Sequence, residues 1–391
     1  MNSVKNISNI PYHIACLVIL MNILQFGFNG LGINFNMFIV EYFLILLLAF
    51  IKKFKIKNYY NLLLIFVVAI IFLFNMFFYS SSTLSFYIQE FIFFALPIII
   101  VFMFEYDYKK LSDLFLKYCI FSLLLYLLNL VLNTSLLSDY MTFGYGGIFP
   151  TTYIAIYSIF HRKWKFLLFS ILAGIIIFAY GSRGGLLVLG TGIFVSCLFY
   201  IKSTWKKVAL ITIALLVLIF NGNIMRFSVN TLTDLFGTDL YVIKQLNSMI
   251  EKEDFDEMLG GRYYIYQQGI EEIKDHTIFG MGVGAFQEKY SYFAHNIFID
   301  VYSTFGIIFG TFYFIYLIII SKKVHKYTKD NIQVKIFFVF CLAIITKLLL
   351  SKTFIYDPYI WLMISLFLNI IFIFRKEKRD EGYDNSFYTN I

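Results

Sequence analysis

Charge is what this chain has least of. Only 14% of its 391 residues are charged, against 60% that are hydrophobic. A soluble chain carries roughly a quarter charged residues. Lipid-facing side chains cannot solvate charge, so a chain buried in hydrocarbon does without it. One large soluble core is thereby excluded. Proline is scarce too, at four residues: Pro11, Pro97, Pro150 and Pro358. Symmetric halves with Gly- or Pro-broken helices in matching positions, expected of a flippase or transporter, are not found. The four cysteines, Cys16, Cys119, Cys197 and Cys341, all lie in apolar blocks and form no CxxC pair, so neither zinc nor a redox couple is indicated. There is no internal repeat and no low-complexity tract. The first apolar block begins at Pro11, lacks a small-residue cleavage site, and is expected to stay as the first helix.

Apolar blocks and aromatic rings are abundant instead, with 48 Phe and 30 Tyr. Tyr suits membrane interfaces, where one end of the ring is dry and the other wet. The blocks predict about twelve spans. They fall at 11–28, 36–51, 62–79, 87–103, 114–132, 148–160, 166–180, 186–201, 208–220, 296–320, 336–350 and 360–374. Most of the 32 Lys and Arg lie near residues 52–57, 109–117, 162–165, 202–207, 322–335 and 375–379, which are alternate loops and helix ends. The positive-inside rule places these in the cytoplasm, with both termini. The net charge of +8 then reflects orientation, and no nucleic-acid partner is expected.

The predicted fold is an all-α polytopic integral membrane protein. Residues 1–220 form a membrane domain of about nine spans, and 221–294 a large periplasmic loop with short amphipathic helices. Residues 295–374 carry about three further spans, and 375–391 form a cytoplasmic tail. Within the loop, Leu240, Ile243, Leu246 and Ile250 make one helical stripe, and Tyr266, Ile270 and Ile273 another.

Three constellations stand at the outer face. Gly181-Ser182-Arg183-Gly184-Gly185 puts an unobstructed guanidinium at a helix start, positioned to bind an anion; a tight turn with a snorkelling Arg is the alternative. Gly261-Arg262-Tyr263 precedes the Gly280-Met281-Gly282-Val283-Gly284 run, read as a turn that docks the loop on the bundle, since no strand precedes it. His295-Asn296 stands where the loop re-enters the membrane, with Asp300 beyond. A neutral His there can act as a general base, oriented by Asn296 or Asp300, or it can simply cap the tenth span. Asp254-Phe255-Asp256 has a metal-binding spacing but sits in an acidic run, Glu251 to Glu257, which reads as a solvated face.

Together these pieces resemble the O-antigen polymerase and O-antigen ligase superfamily of bacterial membrane glycosyltransferases. Ser182-Arg183-Gly184-Gly185-Leu186-Leu187 is similar to the family's Ser-Arg-Gly-Gly segment, with Leu187 four residues after Arg183 as in the ligases. Arg262 through Gly284 resembles the stretch of an Arg, a helix and a Gly-x-Gly turn. His295-Asn296 resembles the His-Asn pair, and His295 and Gly306 keep the ligase spacing. His276-Thr277 departs from the family's frequent Pro after this His.

The resemblance implies glycosyl transfer from an undecaprenyl-pyrophosphate-linked sugar at the outer face of the inner membrane, without a metal or cofactor. It implies His295, Arg183 and Arg262 as catalytic residues and Ser182, Asn296, Gly282 and Gly284 as substrate-binding ones. The expected activity is polymerisation of O-antigen or capsular repeat units, with ligation to lipid A core as the alternative. Glycan donor and acceptor, the bilayer, a flippase and a chain-length regulator are the expected partners.

Overall fold

Asparagine marks several helix starts. Asn36, Asn58 and Asn331 each accept a hydrogen bond from a backbone N–H one turn on, at 3.0 to 3.2 Å. These bonds satisfy donors that the first helical turn would otherwise leave orphaned. In the computed structural model the described residues are 9–33, 35–79, 82–132, 140–180, 183–219, 230, 233, 262–350 and 353–388. They contain no strand.

The helices are α1 (Ile10–Gly30), α2 (Met37–Ile51), α3 (Tyr59–Phe78), α4 (Leu84–Val101), α5 (Tyr108–Leu132), α6 (Tyr140–His161), α7 (Trp164–Tyr180), α8 (Arg183–Tyr200) and α9 (Thr204–Ile219). After the loop come α10 (Tyr263–Asp275), α11 (Ala285–Tyr290), α12 (Ile297–Tyr327), α13 (Ile332–Ile345) and α14 (Pro358–Tyr388). Each expected span falls on one of them. Among the described residues seven, namely α1, α3, α4, α5, α12, α13 continued to Leu349, and α14, are long and apolar enough to cross a membrane. The chain is a polytopic membrane protein. The stripe from Leu240 to Ile250 and the Asp254–Asp256 pair lie outside the described residues.

Two helices depart from regular spans. In α4, Phe91–Ala95 is a π-helical turn just before Pro97. Proline offers no N–H to the carbonyl one turn back, and the wider turn absorbs the mismatch. The expected span 296–320 is bent, because Gly306 breaks α12 at φ 71° and ψ 177°.

The basic helix ends gather at one end of the bundle. Lys57 and Lys376 both pair with Glu105, at 2.8 and 2.9 Å. Arg375 donates to the Tyr60 hydroxyl at 2.6 Å. Arg162 lies over the Tyr200 ring and Lys335 over Phe160. A buried polar node pins α3, α4 and α14 there: Asn58, Asn61 and Asn369 all donate to the Phe102 carbonyl, at 3.1, 2.8 and 2.6 Å. Midway, Phe115, Phe149, Tyr153 and Phe340 interlock edge to face and fill the core between α5, α6 and α13. The 262–296 segment sits at the opposite end.

Candidate active site

The break in α12 is where the site begins. Beyond a helical break, carbonyls lose their partners and must find others. Here the loop supplies them. Met281 N–H donates to the Ser303 carbonyl at 2.7 Å, and Gly282 N–H to the Thr304 carbonyl at 3.1 Å. Ile307 N–H donates to the Thr277 carbonyl at 2.7 Å. Gly280, at φ 73°, and Gly306 let the two backbones touch.

The same segment is tied to the α3–α4 turn. Asn75 Oδ1 accepts from Val283 N–H at 2.7 Å, the Tyr79 hydroxyl donates to the Phe279 carbonyl at 3.2 Å, and Thr83 donates to the Gly284 carbonyl at 2.9 Å. The glycine run is thus the docking turn its context indicates. Gly282 and Gly284, named as substrate contacts, serve that turn: both have positive φ, and the N–H of Gly282 is held by Thr304.

Helix α10 lies on the first turns of α12. Its Gly269 abuts Ile299, where any larger residue would collide. On its inner face Glu272 is 2% exposed, yet it meets Lys289 Nζ and the Tyr290 hydroxyl, each at 2.5 Å, and His276 Nδ1 at 3.4 Å. Burial alone would raise this carboxyl. The bonds from Lys289 and Tyr290 outweigh it and hold the group below the usual carboxylate range. Glu272 therefore joins α10 to α11 as a charged staple.

Arg262 stands immediately before α10, and it acts on His295 across the loop. Burial, then the Arg262 charge, push the His295 imidazole down to about 4, so it is neutral at pH 7. Its Nδ1 is enclosed and has no hydrogen-bond partner among the described residues, and its backbone is left-handed, at φ 53°. A non-glycine residue held there stores strain of a kind that clusters at functional sites.

Asn296, and not His295, caps α12: its Oδ1 accepts from Phe298 N–H at 2.9 Å. Tyr266, a half-buried neighbour of Arg262 and Asn296, has its hydroxyl pushed up by burial. Asp300 does not orient His295 either. It turns to the 353–354 segment, accepting from Phe354 N–H at 3.0 Å.

Arg262, Tyr266, His295 and Asn296 thus form one group. Arg183 opens α8 at the same end of the bundle. The far end of α8 is fixed by Phe199, whose ring meets His325 near the end of α12. Ser182 lies outside the described residues, and of Arg183 the helical backbone is what is described.

Nothing local in the sequence marks Tyr266, Glu272 or the Lys347–Asp357 pair as part of this end of the bundle. That pair is buried, with side chains 6% and 0% exposed and Nζ to Oδ2 at 3.0 Å. Tyr266 was readable as a stripe residue, but its neighbour Asn296 is thirty positions away and no local pattern links them.

Residues 168–315 match the family model described as O-Antigen ligase. The match supports the O-antigen polymerase and ligase superfamily. It runs from α7 into α12 and takes in Arg183, the loop, His295, Asn296 and Gly306, the residues that carry the resemblance. No curated protein and no solved structure matches the chain. A multi-pass membrane enzyme of polymerase or ligase type is what this superfamily contains.

Proposed function

We propose that the chain polymerises undecaprenyl-pyrophosphate-linked oligosaccharide units on the outer face of the inner membrane. The observation that supports this reading is the proximity of a cation, Arg262, to a neutral, strained His295 at the mouth of α12. Arg262, with Arg183, binds the pyrophosphate oxygens through its fork of donors. An acceptor hydroxyl gives its proton to His295 as its oxygen bonds the anomeric carbon. The bond from that carbon to pyrophosphate breaks, and the leaving group departs with the electron pair, inverting the configuration. An imidazole at about 4 is by itself a weak base. Bound pyrophosphate sets its negative charge against that of Arg262 and raises the imidazole's proton affinity when substrate is present.

Ligation to another acceptor is the second reading, favoured by the family description and by the spacing of His295 and Gly306. Glycan gels of cells carrying His295→Ala separate the two. A polymerase gives single lipid-linked units with no ladder. A ligase gives long polymer that stays on the lipid carrier. An unaltered ladder at normal protein level removes His295 from the mechanism.

A further inference from the structure

At the basic end of the bundle, α2 and α4 leave the apolar region side by side, and a cavity of about 270 Å³ opens between the segments that follow them. Lys52, Lys53, Lys55, Lys57 and Glu105 line it. Glu105 is already engaged by Lys57 and by Lys376, and Lys52 donates to its backbone carbonyl at 3.2 Å. Lys53 and Lys55 have no ion-pair partner among the described residues. The lining therefore carries an excess of positive charge.

Two consecutive non-glycine residues, Lys53 and Phe54, are both held at φ 53°. This costly pair of left-handed residues turns the chain back on itself. Phe54 is left 66% exposed beside Phe50, at 72%. Phe50 ends a lipid-exposed stripe of α2 that includes Ile39, Phe43 and Leu46.

Unpaired cations in a cavity thus adjoin a continuous apolar track at the level where a span leaves hydrocarbon. A free anion would use the first feature only. A phosphate attached to acyl chains uses both. We infer that this cavity binds the headgroup phosphate of an anionic phospholipid, through Lys53 and Lys55, with the acyl chains lying along α2. The inference is independent of the catalytic reading, since the cavity lies at the opposite end of the bundle from His295.

The full chain, reconstituted in equal phosphatidylglycerol and phosphatidylcholine, extracted in detergent and weighed by native mass spectrometry, tests this. Wild type should retain phosphatidylglycerol in preference. Lys53→Gln with Lys55→Gln should reduce that retention roughly ten- to thirtyfold. Lys202→Gln with Lys206→Gln, two exposed cations at the same end, should leave it unchanged. Glu105→Gln should increase retention by releasing Lys57 and Lys376, a gain that misfolding cannot produce. Equal retention by wild type and the Lys53/Lys55 variant overturns the proposal. So does saturable binding of inorganic phosphate without lipid preference, which marks a soluble-anion site.

Discussion

Gly280 and Gly306 stand so close that a Cβ on either would meet the other's backbone nitrogen, at 2.5 Å from Gly280 and 2.7 Å from Gly306. Both have positive φ, so a side chain is opposed by conformation as well as by space. Alanine at either position should cost at least the ~1–3 kcal/mol of a strained backbone. Both substitutions disturb one approach, so the double variant should cost less than the sum. Segment 277–290 should become protease-sensitive as the loop leaves the α12 break. Gly190, helical with nothing within 4 Å of an added Cβ, is the control, and Ala there should be neutral or stabilising. An unchanged melting temperature and cleavage pattern for Gly306→Ala would mean that the break does not hold the loop.

The state of His295 gives a pH prediction. The pH profile of kcat/KM reports the free enzyme. With the imidazole at about 4, neutral His295 persists well below pH 6, and the acid limb should fall near that value. Arg262→Gln removes the second of the two causes and leaves burial, so the limb should move up part of the way toward ~6.5. Arg262→Lys keeps the charge but not the bidentate fork, and should lose rate on the order of 10²–10³ without moving the limb. Stability has a matching sign. A His with a depressed folded value destabilises the fold progressively as pH falls from ~6.5 toward that value. A wild-type limb near pH 6.5 would show that His295 is not the group titrating.

The helices were legible in the chain because lipid imposes one rule on every span, and blocks such as 62–79 satisfy it without reference to any neighbour. The docking turn was legible too, since Gly280, Gly282 and Gly284 have few uses outside a turn. The partners of these residues were not. Asn296 reads as a candidate to orient His295, yet its side-chain oxygen caps α12. Asp300 reads the same way, but its partner comes from residue 354, brought close by the return of the chain. The bend at Gly306 was hidden inside an expected span, because glycine within a span is common and the loop that requires the bend lies upstream.

Glu272 should behave as a structural staple of the loop. Its folded value is depressed, so its contribution is present above the ordinary carboxylate value, ~4.3, and is lost as pH falls through the lower folded one. Glu272→Gln should destabilise the loop at pH 7 by about 1–3 kcal/mol, read as hydrogen exchange in α10 and α11. The difference from wild type should narrow as pH falls below the ordinary carboxylate range. Lys289, half exposed, loses part of its contribution to solvent, so Lys289→Ala should cost less than Glu272→Gln. The reverse order would show that the two do not act as a pair.

The buried ion pair Lys347–Asp357 allows a sharper experiment. Lys347 lies in the 3₁₀ turn that ends α13, and its ammonium stands 4.3 Å from the Tyr359 ring centroid. Asp357 does two things, since its Oδ1 also accepts from Tyr359 N–H at 2.9 Å at the start of α14. Removing one charge strands the other in a dry site, so Lys347→Met or Asp357→Asn alone should each cost about 3–5 kcal/mol. Asn retains the cap, which isolates the charge. If the pair only holds α13 to α14, the double variant should recover most of the loss, because two neutral groups leave no uncompensated charge. Its glycan ladder should then match wild type. Recovered stability with a lost ladder would instead place the Lys347 charge in the pyrophosphate site beside Arg183, whose helix α8 packs against this turn. A double variant as unstable as the singles would show that Lys347 is held by more than Asp357.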